Sequence, residues 1–417
     1  MTYPITVNTV IDFSNGATFG VPFTIGDPAN GILGVSVLGD TSSGTLTVDV
    51  SNQVGRISIK TGYNLLQDQF EAGQATVRIF DQNGDWNPEN PSSPYAGKLL
   101  PNRKIRISAT YNNNGYFLFS GYISAYKYSY PKDQELGYVD IQASDAFRLF
   151  NLSNVTTVTG TSAGQTTGAR IGNILNQVSF PATMRTIDTG DTTVQANPTT
   201  ARTALQALKN VEFSEQGAFY ISPEGNAIFK SRTNLIKMAN GSQTYFSNAG
   251  DGIGYFNITT ALDDKLVINQ ANITAIGGVT QSASDATSIA TYFPHTINQS
   301  SLVVQNDSDA LNIAKAYVAT RKDTSLRIDN LTLDLTTPDY SAGITAALNI
   351  DFFNVVKIKN VQQGTTYIEK TLEVVGVAHE ITPTNWKTSF TTSEPIIEGF
   401  LIGNSTWGII GSSVMTY

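Results

Sequence analysis

At 417 residues, with 40% hydrophobic and 14% charged side chains, the chain can fill the cores of about two to four domains but offers little for long solvated helices. A net charge of −8 argues against a surface that grips nucleic acid, which rests on neutralising phosphates, and is compatible with a lining past which DNA slides. The lack of cysteine excludes disulfides, thiolate nucleophiles and cysteine-held zinc, and only His295 and His379 are present for histidine chemistry.

The start, Met1-Thr2-Tyr3-Pro4-Ile5, has no basic-then-apolar order, and no apolar run reaches the ~18 residues of a membrane span. Folding in a cytoplasm is therefore expected. Residues 1–40 read as a Gly-rich arm of short strands. From 41 to 155 the pattern is β. Ile105, Ile107 and Ala109 alternate with Lys104, Arg106 and Ser108, the mark of a half-buried strand. Asn114-Gly115 predicts a hairpin turn, Tyr116 to Tyr130 returns, and Gly121 within it predicts a bulge or bend. Tyr138 to Ala143 adds a further strand.

Residues 156–250 carry the clearest helical periodicity. Ile171, Ile174, Leu175 and Val178 share one face, as do Ala204, Leu205, Leu208 and Val211 after a Thr199 or Thr200 cap. Phe219–Ile221 and Ala227–Phe229 flank a turn, so this segment is a small α+β domain. Residues 251–395 read as mostly β with one helix capped by Asp307, its end complemented by Arg321 and Lys322. Residues 396–417 are apolar but broken by glycines, which fits an extended clasp on a neighbour.

The two β regions share a layout. Arg103–Ile107, Phe119–Ile123 and Tyr138–Ile141 follow one another as Val355–Ile358, Val374–Val377 and Trp386–Phe390 do later. Either a duplication or two independent β-domains of similar wiring accounts for it. The fold class is mainly β with a smaller α+β middle domain, two barrel or sandwich domains lying in one chain.

No segment suits catalysis. Asp81-x-Asn83-x-Asp85-x-Asn87 has the oxygen spacing of a calcium loop, but Trp86 stands where glycine is needed and Ser92 where a bidentate Glu is needed. A turn bonded by its own side chains is the reading taken, stiffened by Pro88, Pro91 and Pro94. Asp263-Asp264 beside Lys265 has no evident acid/base partner. Gly250-x-Gly252-x-Gly254 precedes a strand, the reverse of a phosphate loop, and no nucleophile elbow occurs. His379 reads as a hydrogen-bonded structural residue. Tyr122, Tyr126, Tyr128 and Tyr130 share strand parity and fit a packed or subunit-facing face, or a stack for sugars. Lys98, Arg103, Lys104 and Arg106 read as a solvated strand face that could meet acidic loops across an interface. No catalytic, cofactor-binding or metal-binding residue is assigned, no cofactor is expected, and the chain is read as no enzyme.

With these residues laid out, the chain resembles the minor tail proteins of long-tailed bacteriophages, specifically the baseplate-hub (tail tip) family. The resemblance rests on Phe70–Val77, on Asp85-Trp86-Asn87-Pro88-Glu89-Asn90-Pro91-Ser92-Ser93-Pro94-Tyr95 running on to Leu99, and on Phe119–Ile123. Asp145–Phe150, Glu215–Tyr220 with Pro223–Gly225, and Trp407–Ser413 extend it over most of the chain. It implies a virion structural protein and a homotrimer with two tube-type β-domains per chain, at 41–155 and 251–395. Such a hub would join a hexameric tail tube and distal tail proteins above to a threefold fibre or spike below. DNA would pass through its lumen without specific binding. The alternative is a glycan-binding, adhesin-type β-protein of a virion or cell surface.

Overall fold

The computed structural model describes residues 4–19, 47–65, 67–132, 136–337, 340–364 and 366–394. Strands dominate. The first group is β1 (Thr6–Asp12), β2 (Val54–Asn64), β3 (Gln74–Phe80), β4 (Lys104–Tyr111), β5 (Asn114–Ser129) and β6 (Tyr138–Ser144). Period-two burial fixes their faces: Ala75, Val77 and Ile79 point into the core while Gln74, Thr76 and Arg78 point away.

A middle unit follows, built on α1 (Phe147–Leu152), α2 (Thr167–Gln177), α3 (Ala204–Glu215), the hairpin β7 (Ala218–Ile221) and β8 (Ala227–Lys230), and α4 (Arg232–Ala239). Its core gathers Ile171, Ile174 and Leu175 from α2, Leu208 and Val211 from α3, and Phe219 and Phe229 from the hairpin. The expected helices and hairpin are all present. The cap of α3 is Thr203, not Thr199 or Thr200, because Gln206 lies three residues on and completes a capping box.

Apart from short two- and three-residue strands, the later strands are β9 (Gln243–Ser247), β10 (Asn257–Ala261), β11 (Gln270–Ala275), β12 (Gln281–Ser284), β13 (Thr296–Leu302), β14 (Arg327–Asp334), β15 (Val355–Val361), β16 (Tyr367–Thr382) and β17 (Asn385–Ser393). Between them lie α5 (Ala286–Tyr292), α6 (Asp307–Arg321) and α7 (Ser341–Asn349), three helices where one was expected. Asp307 does not cap α6. Asn306 does, and the Asp307 carboxylate accepts from the Val279 amide instead.

The large sheet contains the same unit twice. In the first, β2-β3-β6-β5-β4-β1 is the spatial order; in the second it is β10-β14-β17-β16-β15-β9. Both run through these six positions in the same chain order. Both have a 16-residue fifth strand with a register shift, between Ile123 and Ala125 in β5 and between Val374 and Gly376 in β16. Just before the fourth strand, Asn102 (φ 62) and Phe353 (φ 64) are both left-handed, and their amides donate to Ile123 and Val374 carbonyls at 2.7 Å. Such detail exceeds what shared architecture alone requires. One difference is that β1 runs antiparallel to β4, whereas β9 runs parallel to β15. Residues of both units contribute to one continuous core.

The expected segment boundaries differ from this layout. Thr6–Asp12, placed in an arm, is paired along its length with β4. Gln243–Ser247, placed in the middle domain, pairs with β15. Within 251–395, β11, β12, β13 and α6 form a separate sheet-and-helix unit with its own core, inserted between the second and third strands of the repeat. The hairpin turn is Asn112-Asn113 (φ 50 and 62), two residues earlier than expected, since Tyr111 already faces Asn114. Residues 396–417 lie outside the described residues.

Candidate functional site: the seam between the repeats

The two units are joined by β2 and β16. Gly376 faces Gly62, Ala378 faces Lys60, Glu380 faces Ser58 and Ile381 faces Ile57, antiparallel. The Gly62–Gly376 crossing needs glycine: a Cβ at Gly62 (φ +147) would lie 2.5 Å from the Gly376 Cα. On the core face, Ile57, Ile59 and Ile381 close the seam with Trp386. On the other face Arg56 reaches Glu380 at 3.0 Å, and Ser58 donates to the same carboxylate.

That outer face is polar across the sheet, and its two arginines are paired, while Lys60, Lys127 and Lys387 on the same face make no ion pair among the described residues. Arg78 grips Asp140 with two bonds of 2.8 Å and lies over the Tyr138 ring at 4.0 Å. The Asp140 carboxylate bonded to it raises the guanidinium pKa further. Thr332 and Ser389 hydroxyls meet at 3.0 Å on the same face.

Each unit is closed at one end by the segment between its third and fourth strands. In the first this is the Pro/Asn-rich loop. Trp86 is buried, donates to Gln53 at 2.9 Å and packs on Tyr95, which packs on Phe13. Several of the loop's oxygens are spent on itself, while Asp81 Oδ2 is buried without a hydrogen-bond partner among the described residues. Asp81 accepts from the Trp86 amide, Asn87 from the Glu89 amide, Asn90 from the Ser92 amide, and Ser93 donates to the Asp85 carbonyl. In the second unit α7 plays this part, with Ile344, Ala347 and Leu348 buried.

The basic cluster is not a solvated face. Lys104 is 1% exposed, pairs with Asp12 at 3.0 Å and donates to Ser14 and the Thr18 carbonyl. Arg103 bonds Asn15, and Arg106 lies between the Phe19 and Phe117 rings. Arg103, Lys104 and Arg106 hold the 12–19 segment against β4, a partner that sequence spacing did not reveal, while Lys98 bonds the Pro94 carbonyl of its own loop. Tyr122 is likewise buried, its hydroxyl donating to the Ala17 carbonyl, while Tyr126 and Tyr128 pack at the rim of the core.

His379 is buried and bonds Thr388 at 3.0 Å; burial pulls its pKa down to about 4. Asp263 pairs with Arg327 at 2.9 Å, and Asp264 has His295 at 3.4 Å, a neighbour the sequence did not predict. The inserted unit is fastened by Asp68, which pairs with Arg321 at 2.6 Å and accepts from Tyr63 at 2.8 Å and from Tyr317. Burial, and then the Asp68 charge, push both tyrosine hydroxyls well up. Nothing in the local sequence marks Asp68, two of whose partners, Tyr317 and Arg321, are some 250 residues away. Among the described residues no group of three or more acidic or histidine side chains is placed to hold a metal.

No family model matches the chain, and no curated protein matches it. Solved structures do. A tail protein from Neisseria meningitidis MC58 superposes with a TM-score of 0.57 at 10% identity, covering 94% of this chain and 97% of that one. The 43 kDa tail protein of prophage MuSo2 from Shewanella oneidensis gives 0.53 at 9% identity, covering 84% and 95%. The prophage tail protein gp18 from Listeria monocytogenes EGD-e gives 0.44 at 8% identity, covering 93% and 95%. The chain thus has the fold of phage tail proteins, as the resemblance in its loop and strand motifs implied.

Proposed function

We propose that this chain is a structural subunit of a phage tail, a trimeric hub at the baseplate or tail tip. Three copies supply six like units, enough to face a hexameric tube and distal tail proteins on one side while keeping threefold symmetry for a fibre or spike on the other. The observation that carries this reading is the duplicated strand order on either side of the β2–β16 seam. The fold shared with two solved tail proteins supports the setting.

The polar outer face suits a lumen. Arg56 and Arg78 are committed to Glu380 and Asp140, which leaves scattered lysines instead of a dense cationic track, so DNA passes without being held. The protein folds in the host cytoplasm and resides in the virion, without catalysis of its own. Residues 396–417 clasp a neighbouring chain. Light scattering on the purified protein tests the stoichiometry: a mass near three times 44.9 kDa is expected, and a monomer at micromolar concentration contradicts it.

A further inference from the structure

Among the described residues the duplication leaves two strand edges open, and they are the counterparts of the two edges that meet at the seam. In β16 the first half pairs with β15 and the second half, Gly376–Ile381, with β2. In β5 the first half pairs with β4, but Ala125–Tyr130 has no strand on that side among the described residues. β2 lies between β3 and β16; among the described residues its counterpart β10 pairs only with β14. Each copy therefore has, among the described residues, one unpaired edge of each kind.

We infer that β10 of one copy pairs antiparallel with the second half of β5 of the next, repeating between chains the seam that β2 and β16 make within one. This rests on the trimeric reading and specifies the surface that would close it. The register follows from the pairings. Ile57 faces Val77, Val77 faces Ile141, and Ile141 faces Tyr126. In the second unit Ile258 faces Leu331, Leu331 faces Phe390, and Phe390 faces Val377. Ile258 thus corresponds to Ile57, and Tyr126 to Val377. The Ile57–Ile381 and Ser58–Glu380 pairs become Ile258–Tyr130 and Thr259–Ser129 between chains.

The side chains agree with this register. Ile258 and Tyr130 fall on the core face, extending the apolar layer across the boundary; Thr259 and Ser129 fall on the polar face. Tyr130 is 54% exposed in the single chain, and Phe256 (59%) and Leu262 (68%) flank β10. β10 itself, Asn-Ile-Thr-Thr-Ala, has none of the lysines or prolines that protect a solvent edge from pairing. Because the two edges differ, the contact is head-to-tail instead of two-fold, and with three copies it closes into a ring.

The chain has no cysteine, so directed cross-linking is clean. Thr259→Cys and Ser129→Cys alter half-exposed or exposed hydroxyl positions and, combined in one chain, place the thiols on facing residues of adjacent strands, within disulfide reach. Under mild oxidation the double variant is expected to give a non-reducing ladder that ends at the trimer. Neither single variant should cross-link, and pairing Thr259→Cys with Lys127→Cys, out of register, should give at least tenfold less product. Trimers by light scattering without cross-links in the double variant would overturn the strand pairing while leaving the trimeric reading intact. Monomers would overturn both. A dimer from Thr259→Cys alone would overturn the head-to-tail contact.

Discussion

Trp86 occupies the position at which a calcium loop would need glycine, and the structure uses it as the plug of the first unit. Removing a fully buried indole leaves a cavity and an unpaired Gln53, so Trp86→Ala should cost about 3–5 kcal/mol in a denaturant titration. A change under about 1 kcal/mol would show that the loop merely covers the core. Buried titratable groups give opposite pH dependences. Burial pushes Glu373 from 4.5 up to about 8, so the folded chain keeps a proton that the unfolded chain releases, and stability falls as pH rises across that window. His379, pulled from 6.5 down to about 4, costs stability as pH falls through its own window. Glu373→Gln should therefore raise the melting temperature most at pH 8 and little at pH 5. Parallel curves for variant and parent would refute that assignment. Residue roles that depend on a near neighbour, such as the self-bonded 81–93 turn, were legible in the sequence. Those that depend on a distant one, such as Lys104 with Asp12, were not.

At the scale of elements, the expected strands and helices followed from periodicity, whereas the short α4, α5 and α7 were not expected, and the other departures have local causes. The α3 cap moved to Thr203 because a capping box outweighs a lone threonine, and the hairpin turn moved to Asn112-Asn113 because asparagine tolerates left-handed backbone. The inserted 262–326 unit escaped notice since its strands have the same alternation as those of the repeat, and the contacts that attach it, the Asp68–Arg321 pair and the Ser214–Val303 bond among them, join residues far apart in sequence. Asp68→Ala would leave Arg321 buried without its counter-ion, a loss of about 3–5 kcal/mol for a broken buried pair. Hydrogen exchange is expected to quicken in α6 ahead of β14–β17. Uniform quickening would mean that the insertion and the repeat unfold together. At the seam, Gly62→Ala should cost about 1–3 kcal/mol through strain and the clash with Gly376.

At the scale of the whole molecule, the sequence held a trace of the duplication in three short segments, and the structure extends it to six strands in matching order. What hid it was divergence in the connections. A proline-rich loop stands in one unit where α7 stands in the other, and an entire unit is inserted where the first repeat has only residues 65–73. Topology outlasts sequence here because each strand needs only an alternating pattern to keep its place. Deleting 396–417 should abolish assembly while leaving the melting transition within a few degrees; assembly that survives would remove the clasp from the account.

Paired units around an opening are the claim on which the rest depends, and electron-microscopic class averages of the purified protein address it most directly. End-on views are expected to present a ring of six similar densities with threefold symmetry and an open centre. Particles of a single chain, or a closed assembly without an axial hole, would contradict it.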